Sequence, residues 1–159
     1  MNDEQYDSIK SELEQIRENC LYSAQAYFEA AKSAEFWGRF VVFIPACASA
    51  ISGFMSALNK TPTWGAISAV TGAVAATASF LGATKKAADF QSSARSYTAL
   101  RQKVRLQLGL LAKDDAWEEA RDLLNSVNDA YIQIVSTDTP VPNRAFLIAR
   151  KRIQQGLAS

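Results

Sequence analysis

The sequence predicts an all-α protein, a two-helix transmembrane hairpin with long amphipathic cytoplasmic helices before and after it. Three observations predict this. Apolar residues recur at alternating steps of three and four along most of the 159-residue chain, and no segment alternates as a half-buried strand would. Two uncharged runs, residues 40–59 and 61–84, stand side by side in the middle. Basic residues flank the pair on its terminal sides, with only Lys60 between the runs.

The first helix is expected over residues 1–38. Tyr6, Ile9, Leu13, Ile16, Cys20, Ser23, Tyr27, Ala30, Ala34 and Trp37 form one seam on it. Asp3 and Glu4 lie near its positive N-terminal end, where a negative charge stabilises a helix by about 0.3–1 kcal/mol. Such an amphipathic helix requires a helical partner.

The character changes at Arg39. The segment FVVFIPACASAISGFMSALN, residues 40–59, contains 20 residues without a charge. As helix it is roughly 30 Å long, about the hydrocarbon thickness of a bilayer. Pro45 lies inside it; that weakens a soluble helix but is accommodated as a kink in a membrane helix. NKTPT then supplies a polar turn, with Pro62 placed to begin the next helix. The second run ends at Lys85 and Lys86, and its span is expected over residues 64–84. Trp37, Arg39, Lys60, Trp64, Lys85 and Lys86 mark the membrane boundaries, where amphipathic rings and cations favour the interface. Lys32 and Arg39 on one side and Lys85, Lys86 and Arg95 on the other put both termini in the cytoplasm, the hairpin crossing the inner membrane.

The remaining cytoplasmic helices occupy residues 85–159. Phe90, Ala94, Tyr97, Leu100, Val104, Leu108 and Leu111 continue an apolar stripe. Asp114 or Asp115 is the expected N-cap of the next helix, which carries Trp117, Ala120, Leu124, Val127, Tyr131 and Ile134 on one face. STDTPVPN ends it, and Asn143 is expected to cap a last short helix through Ile153. No Pro/Gly/Ser-rich linker divides the chain, so one domain is expected.

The second run is built largely from Ala, Gly, Ser and Thr, which enter lipid less readily than Leu, Ile or Phe, and by hydropathy alone it is marginal. Its pattern offers a reason. Ser68, Gly72 and Ala76 form a small-xxx-small-xxx-small stripe, matched by Ser49, Gly53 and Ala57 in the first run. Such stripes let helix backbones approach closely, within the hairpin or between copies. The hydroxyls have two readings: Ser49, Ser52, Ser56, Ser68, Thr71 and Ser79 line a narrow wet path in an oligomer, or each bonds a carbonyl one turn back or bridges helices.

Chemistry is sparse. The chain has no His, which removes the commonest general base and a common metal ligand, and no GxSxG or GxxxxGK[ST] motif occurs. An enzyme is not expected, nor a cofactor or metal. Cys20 and Cys47 lack metal-ligand or redox spacing and read as free packing thiols. The net charge of +1 lacks the basic footprint of a nucleic-acid binder, although residues 1–38 are acidic and residues 85–159 basic. Arg144, Arg150, Lys151 and Arg152, with Phe146 and Ile153 among them, read either as a solvated face or as a contact for anionic headgroups or an acidic partner. The polar, acidic start MNDEQYD does not resemble a signal peptide.

Taken in order, AQAYFEAAKSAEFWGRF, the paired uncharged runs, and ATKKAADFQSSARSYTALRQKVR with SYTALR at Ser96–Arg101 resemble the SLATT family, the SMODS- and SLOG-associating two-transmembrane effector domains. The likeness extends over roughly residues 15 to 135. It implies a prokaryotic conflict-system effector that assembles as a homo-oligomer into a membrane pore, serves anti-phage defence, and takes its signal from a separate nucleotide-signal sensor or synthase. Two other readings stay open: a soluble helical bundle sheltering the hairpin, toxin-like or as an adaptor, and a membrane scaffold that recruits a cytoplasmic partner without forming a pore.

Overall fold

A computed structural model describes residues 1–59, 62–80 and 85–157, the side chains of Asn59, Pro62 and Phe80 excepted. These residues form five helices and no strand: α1 (Asp3–Asn59), α2 (Pro62–Phe80), α3 (Lys85–Leu110), α4 (Trp117–Thr137) and α5 (Asn143–Gln154). The chain is all-helical. It packs as two compact units, one of Met1–Ala30 with Phe90–Ser159, the other of Ala31–Asp89.

In the first unit α1 begins with a reciprocal cap that the acidic pair does not provide. Asn2 Oδ1 accepts the Gln5 amide at 2.7 Å and Gln5 Oε1 accepts the Asn2 amide at 3.0 Å. Two of the donors that every helix start leaves orphaned are thereby satisfied. Along the seam Ile9, Leu13, Ile16, Cys20, Tyr27 and Ala30 are buried, Tyr6 and Ser23 half-buried. The seam stops there: Trp37 is 62% exposed.

Facing it, α3 buries Phe90, Ala94, Tyr97, Leu100 and Val104, α4 buries Ala120 and Val127, and α5 buries Ala145 and Ala149. Leu13, Val104 and Val127 have essentially no exposed surface, and each contributes about 1.5–3 kcal/mol through burial. Tyr27 joins three elements. Its ring stacks on Tyr97 at 5.6 Å and tilts against Phe90 at 6.1 Å, while its hydroxyl donates to the Thr139 carbonyl at 2.9 Å. Tyr97 in turn meets the edge of Tyr131 on α4 at 6.2 Å. Burial, then the nearby Asp138 carboxylate, push the Tyr27 and Tyr97 phenols well above their ordinary range, so both stay uncharged.

Two expected caps are absent. The N-cap of α4 is Ala116, without a side-chain bond, because Asp115 is turned back to accept the Ala112 amide at 2.8 Å. Asn143 is already helical, with Pro142 at the N-cap position of α5. α5 is instead tied down by an ion pair, Arg152 to Glu29 on α1 at 2.7 Å.

In the second unit α1 continues from Ala31 to Asn59, and its helix runs through Pro45. Proline donates no amide hydrogen, so the Val41 carbonyl one turn earlier loses its regular partner. Ser49, Gly53 and Ser56 of this segment meet Gly72, Ser68 and Gly65 of α2, so the two helices form a hairpin.

Candidate functional site

The interface of this hairpin is a small ladder in which a serine on one helix stands opposite a glycine on the other. A Cβ placed on Gly72 would lie 3.2 Å from Ser49 Oγ, one on Gly53 3.4 Å from Ser68 Oγ, and one on Gly65 3.5 Å from Ser56 Oγ. The approach is tightest at the first of these, where a Cβ would make the Ser49 hydroxyl give by a few tenths of an ångström. At the centre the two helices exchange hydrogen bonds: Ser49 Oγ donates to the Ser68 carbonyl and Ser68 Oγ to the Ser49 carbonyl, each at 3.0 Å. Beside them Ser52 is only 4% exposed.

Of the two small stripes, Ser49, Gly53, Ser68 and Gly72 come together, while Ala57 and Ala76 are exposed. Helix geometry explains the difference. Each residue advances about 100° around the axis, so eight residues in steps of four drift about 80° away, whereas seven in steps of three and four return to within about 20°. The interface therefore continues to Ser56 and Gly65. Their period of three and four is the signal a fixed spacing of four overlooks.

Four of the six hydroxyls, those of Ser49, Ser68, Thr71 and Ser79, are hydrogen-bonded within one copy. Thr71 Oγ1 donates to the Ile67 carbonyl at 2.8 Å and Ser79 Oγ to the Ala75 carbonyl at 3.0 Å, the back-bonding common in apolar helices. Ser49 and Ser68 bridge the helices, Ser52 is buried and Ser56 faces Gly65.

The outer faces are the opposite in character. Trp37, Phe40, Phe43, Ile44, Ile51, Phe54 and Leu58 on α1 and Ile67, Val70 and Val74 on α2 are all exposed, Phe43 by 67% and Phe54 by 65%. Arg39 and Glu35 form an exposed ion pair next to Trp37, Trp64 is half-buried at the start of α2, and Lys85 and Lys86 are exposed at the start of α3. Lys60 and the end of the expected second span, residues 81–84, lie outside the described residues. Where Phe40, Phe43 and Ala46 of α1 face Ala78 and Ser79 of α2, an apolar cavity of about 750 Å³ opens. Among the described residues α1 alone is long and apolar enough to cross a membrane, and only 6% of its most apolar 18-residue stretch is buried.

Among the described residues no group of three His, Cys, Asp or Glu side chains could hold a metal. Cys47 is half-buried, and Cys20 is fully buried with its thiol pushed up to about 11 by burial, slightly offset by Arg101, so it is a poor nucleophile at neutral pH. The chain matches no family model, and no characterised protein or solved structure matches it.

Proposed function

We propose that the chain is a membrane effector of the SLATT kind, its hairpin of α1 and α2 inserted in the inner membrane with both termini cytoplasmic, forming a homo-oligomer that permeabilises the membrane on a signal from a separate nucleotide sensor or synthase. The observation that carries this reading is the exposed apolar face of the hairpin. A soluble monomer rarely shows water so large a contiguous apolar surface, and a buried core helix would not leave almost all of its apolar stretch uncovered. The internal ladder supports the same reading, since direct packing and interhelical hydrogen bonds are what hold helices together in lipid. Because the stripes close the hairpin on itself, copies would associate through the outer faces bearing Phe43, Phe54 and Val70.

The test is expression without detergent followed by carbonate washing of the membranes, then dye release from liposomes holding the purified protein. Retention in the washed pellet with release dependent on protein is the expected result. A monodisperse soluble species would replace the proposal with a sheltered bundle. Stable insertion without release, with or without candidate nucleotide signals, would replace the pore with a scaffold.

A further inference from the structure

The first unit holds a second feature, unrelated to the hairpin. Tyr22 and Ser23 of α1 and Tyr131 of α4, all half-buried, with the exposed Asn19 of α1 and Phe146 and Arg150 of α5, line an open cavity of about 440 Å³. That lies within the size range of small-molecule sites. Five of the six side chains carry hydrogen-bonding groups, and among the described residues none of those groups has an intramolecular hydrogen-bond or ion-pair partner. The contrast is with α2, where the hydroxyls of Ser68, Thr71, Thr77 and Ser79 all find carbonyls. It is also with the neighbouring Arg152, which is paired to Glu29.

The lining selects a type of guest. It contains a guanidinium, an amide and three hydroxyls but no carboxylate, so it favours an anion. Three aromatic rings border the same space; among the described residues the one ring contact any of them makes is Tyr131 with Tyr97. A flat ring entering this space would meet them and could stack or pack edge-on against them. Burial keeps the Tyr131 phenol protonated, and it stays a donor.

We infer that this cavity between α1, α4 and α5 binds a small anion bearing a planar ring, with Arg150 holding the anionic group and Tyr22, Tyr131 and Phe146 the ring. Two sources share that chemistry, an aromatic carboxylate and a mononucleotide. A guest on Tyr131 would bear directly on the Tyr131, Tyr97 and Tyr27 series that joins α4, α3 and α1. The inference stands apart from the membrane reading, since it concerns only the first unit.

Equilibrium dialysis of the purified full chain against 2-naphthoate, AMP and inorganic phosphate, each corrected by a protein-free detergent blank, tests it. Saturable binding of naphthoate, AMP or both is expected at submillimolar concentration, and which one binds identifies the source. Arg150→Gln should weaken it at least tenfold, and Ser23→Phe, which fills the cavity, should abolish it. Arg144→Gln, outside the lining, should leave it unchanged; helical circular dichroism and melting confirm that each variant is folded. The inference is overturned if neither ring compound binds below a millimolar, if inorganic phosphate binds as tightly as the tighter of the two ring compounds, or if folded Arg150→Gln and Ser23→Phe bind like the wild type.

Discussion

Gly72 makes the closest of the three serine–glycine approaches, and two substitutions there make opposite demands. In Gly72→Ala the new Cβ stands 3.2 Å from Ser49 Oγ, so the hydroxyl must shift by a few tenths of an ångström. That cost is offset by alanine's advantage of about 1 kcal/mol over glycine in a helix. The expected net change is within about 1 kcal/mol. In Gly72→Leu the further carbons have no room, because Ser49 Cβ is itself only 4.0 Å from the same point. The helices must part, losing the two reciprocal Ser49–Ser68 bonds, each worth about 0.6 kcal/mol in lipid, and adding an overpacking cost of about 1–3 kcal/mol. The total is about 2–4 kcal/mol. An SDS titration in mild detergent, read from the fluorescence of Trp64 with Trp37 and Trp117 replaced by Phe, measures the difference. If leucine and alanine variants unfolded within about 0.5 kcal/mol of each other, the close approach at this rung would be wrong.

Three further outcomes are expected. With Cys20 and Cys47 replaced by Ala, Ser56→Cys with Gly65→Cys should form an intramolecular disulfide under mild oxidation, since the Gly65 Cβ position is 3.5 Å from the Ser56 side-chain tip; Ala57→Cys with Gly65→Cys should crosslink far more slowly. The first unit should lose stability above pH 9: the unfolded Cys20 thiol ionises near 9.0 and the folded one near 11, so the unfolded state releases its proton first, at a cost approaching about 2–3 kcal/mol by pH 11. Near-ultraviolet circular dichroism melts from pH 8 to 11 check this; Cys20→Ala should remove that part and leave the loss set by the raised tyrosines above pH 10. Arg152→Ala should destabilise the docking of α5 by about 1–3 kcal/mol, because Glu29 is only 10% exposed and loses a charged partner, and limited trypsin cleavage at Arg144, Arg150 and Lys151 should quicken.

What was legible in the sequence was whatever repeats. The three-and-four seams of α1, α3 and α4 located the core residues from Ile9 to Val127, because a buried stripe requires its residues to recur at the helical period. Caps were less legible, since Asp115, Asn143 and Asn2 are similarly plausible by residue type, and which one bonds depends on how the neighbouring turn is closed. The seam's extension to Trp37 failed for a different reason: periodicity continues along α1 after the packed partner has ended. In the hairpin the right residue types were identified, but a strict spacing of four moved the contact from Ser56 to Ala57. At the Arg150 site only the basic cluster with Phe146 was visible in the sequence; its α1 side, Asn19, Tyr22 and Ser23, lies more than a hundred positions from Tyr131 and Arg150 and carries no linear signal.

The serine-opposite-glycine ladder also determines which helix each partner recognises. Along the contact α1 offers Ser49, Gly53 and Ser56, and α2 answers with Gly72, Ser68 and Gly65. The two patterns are complementary and neither is complementary to itself: an antiparallel pair of α1 segments would set serine against serine at the ends and glycine against glycine in the middle, leaving a crowded contact beside a gap. Each chain thus carries its own matching strip, which favours closure at home over exchange with a neighbour. In the proposed oligomer, copies would therefore meet as finished hairpins, folding first and associating second, an order that six small residues favour.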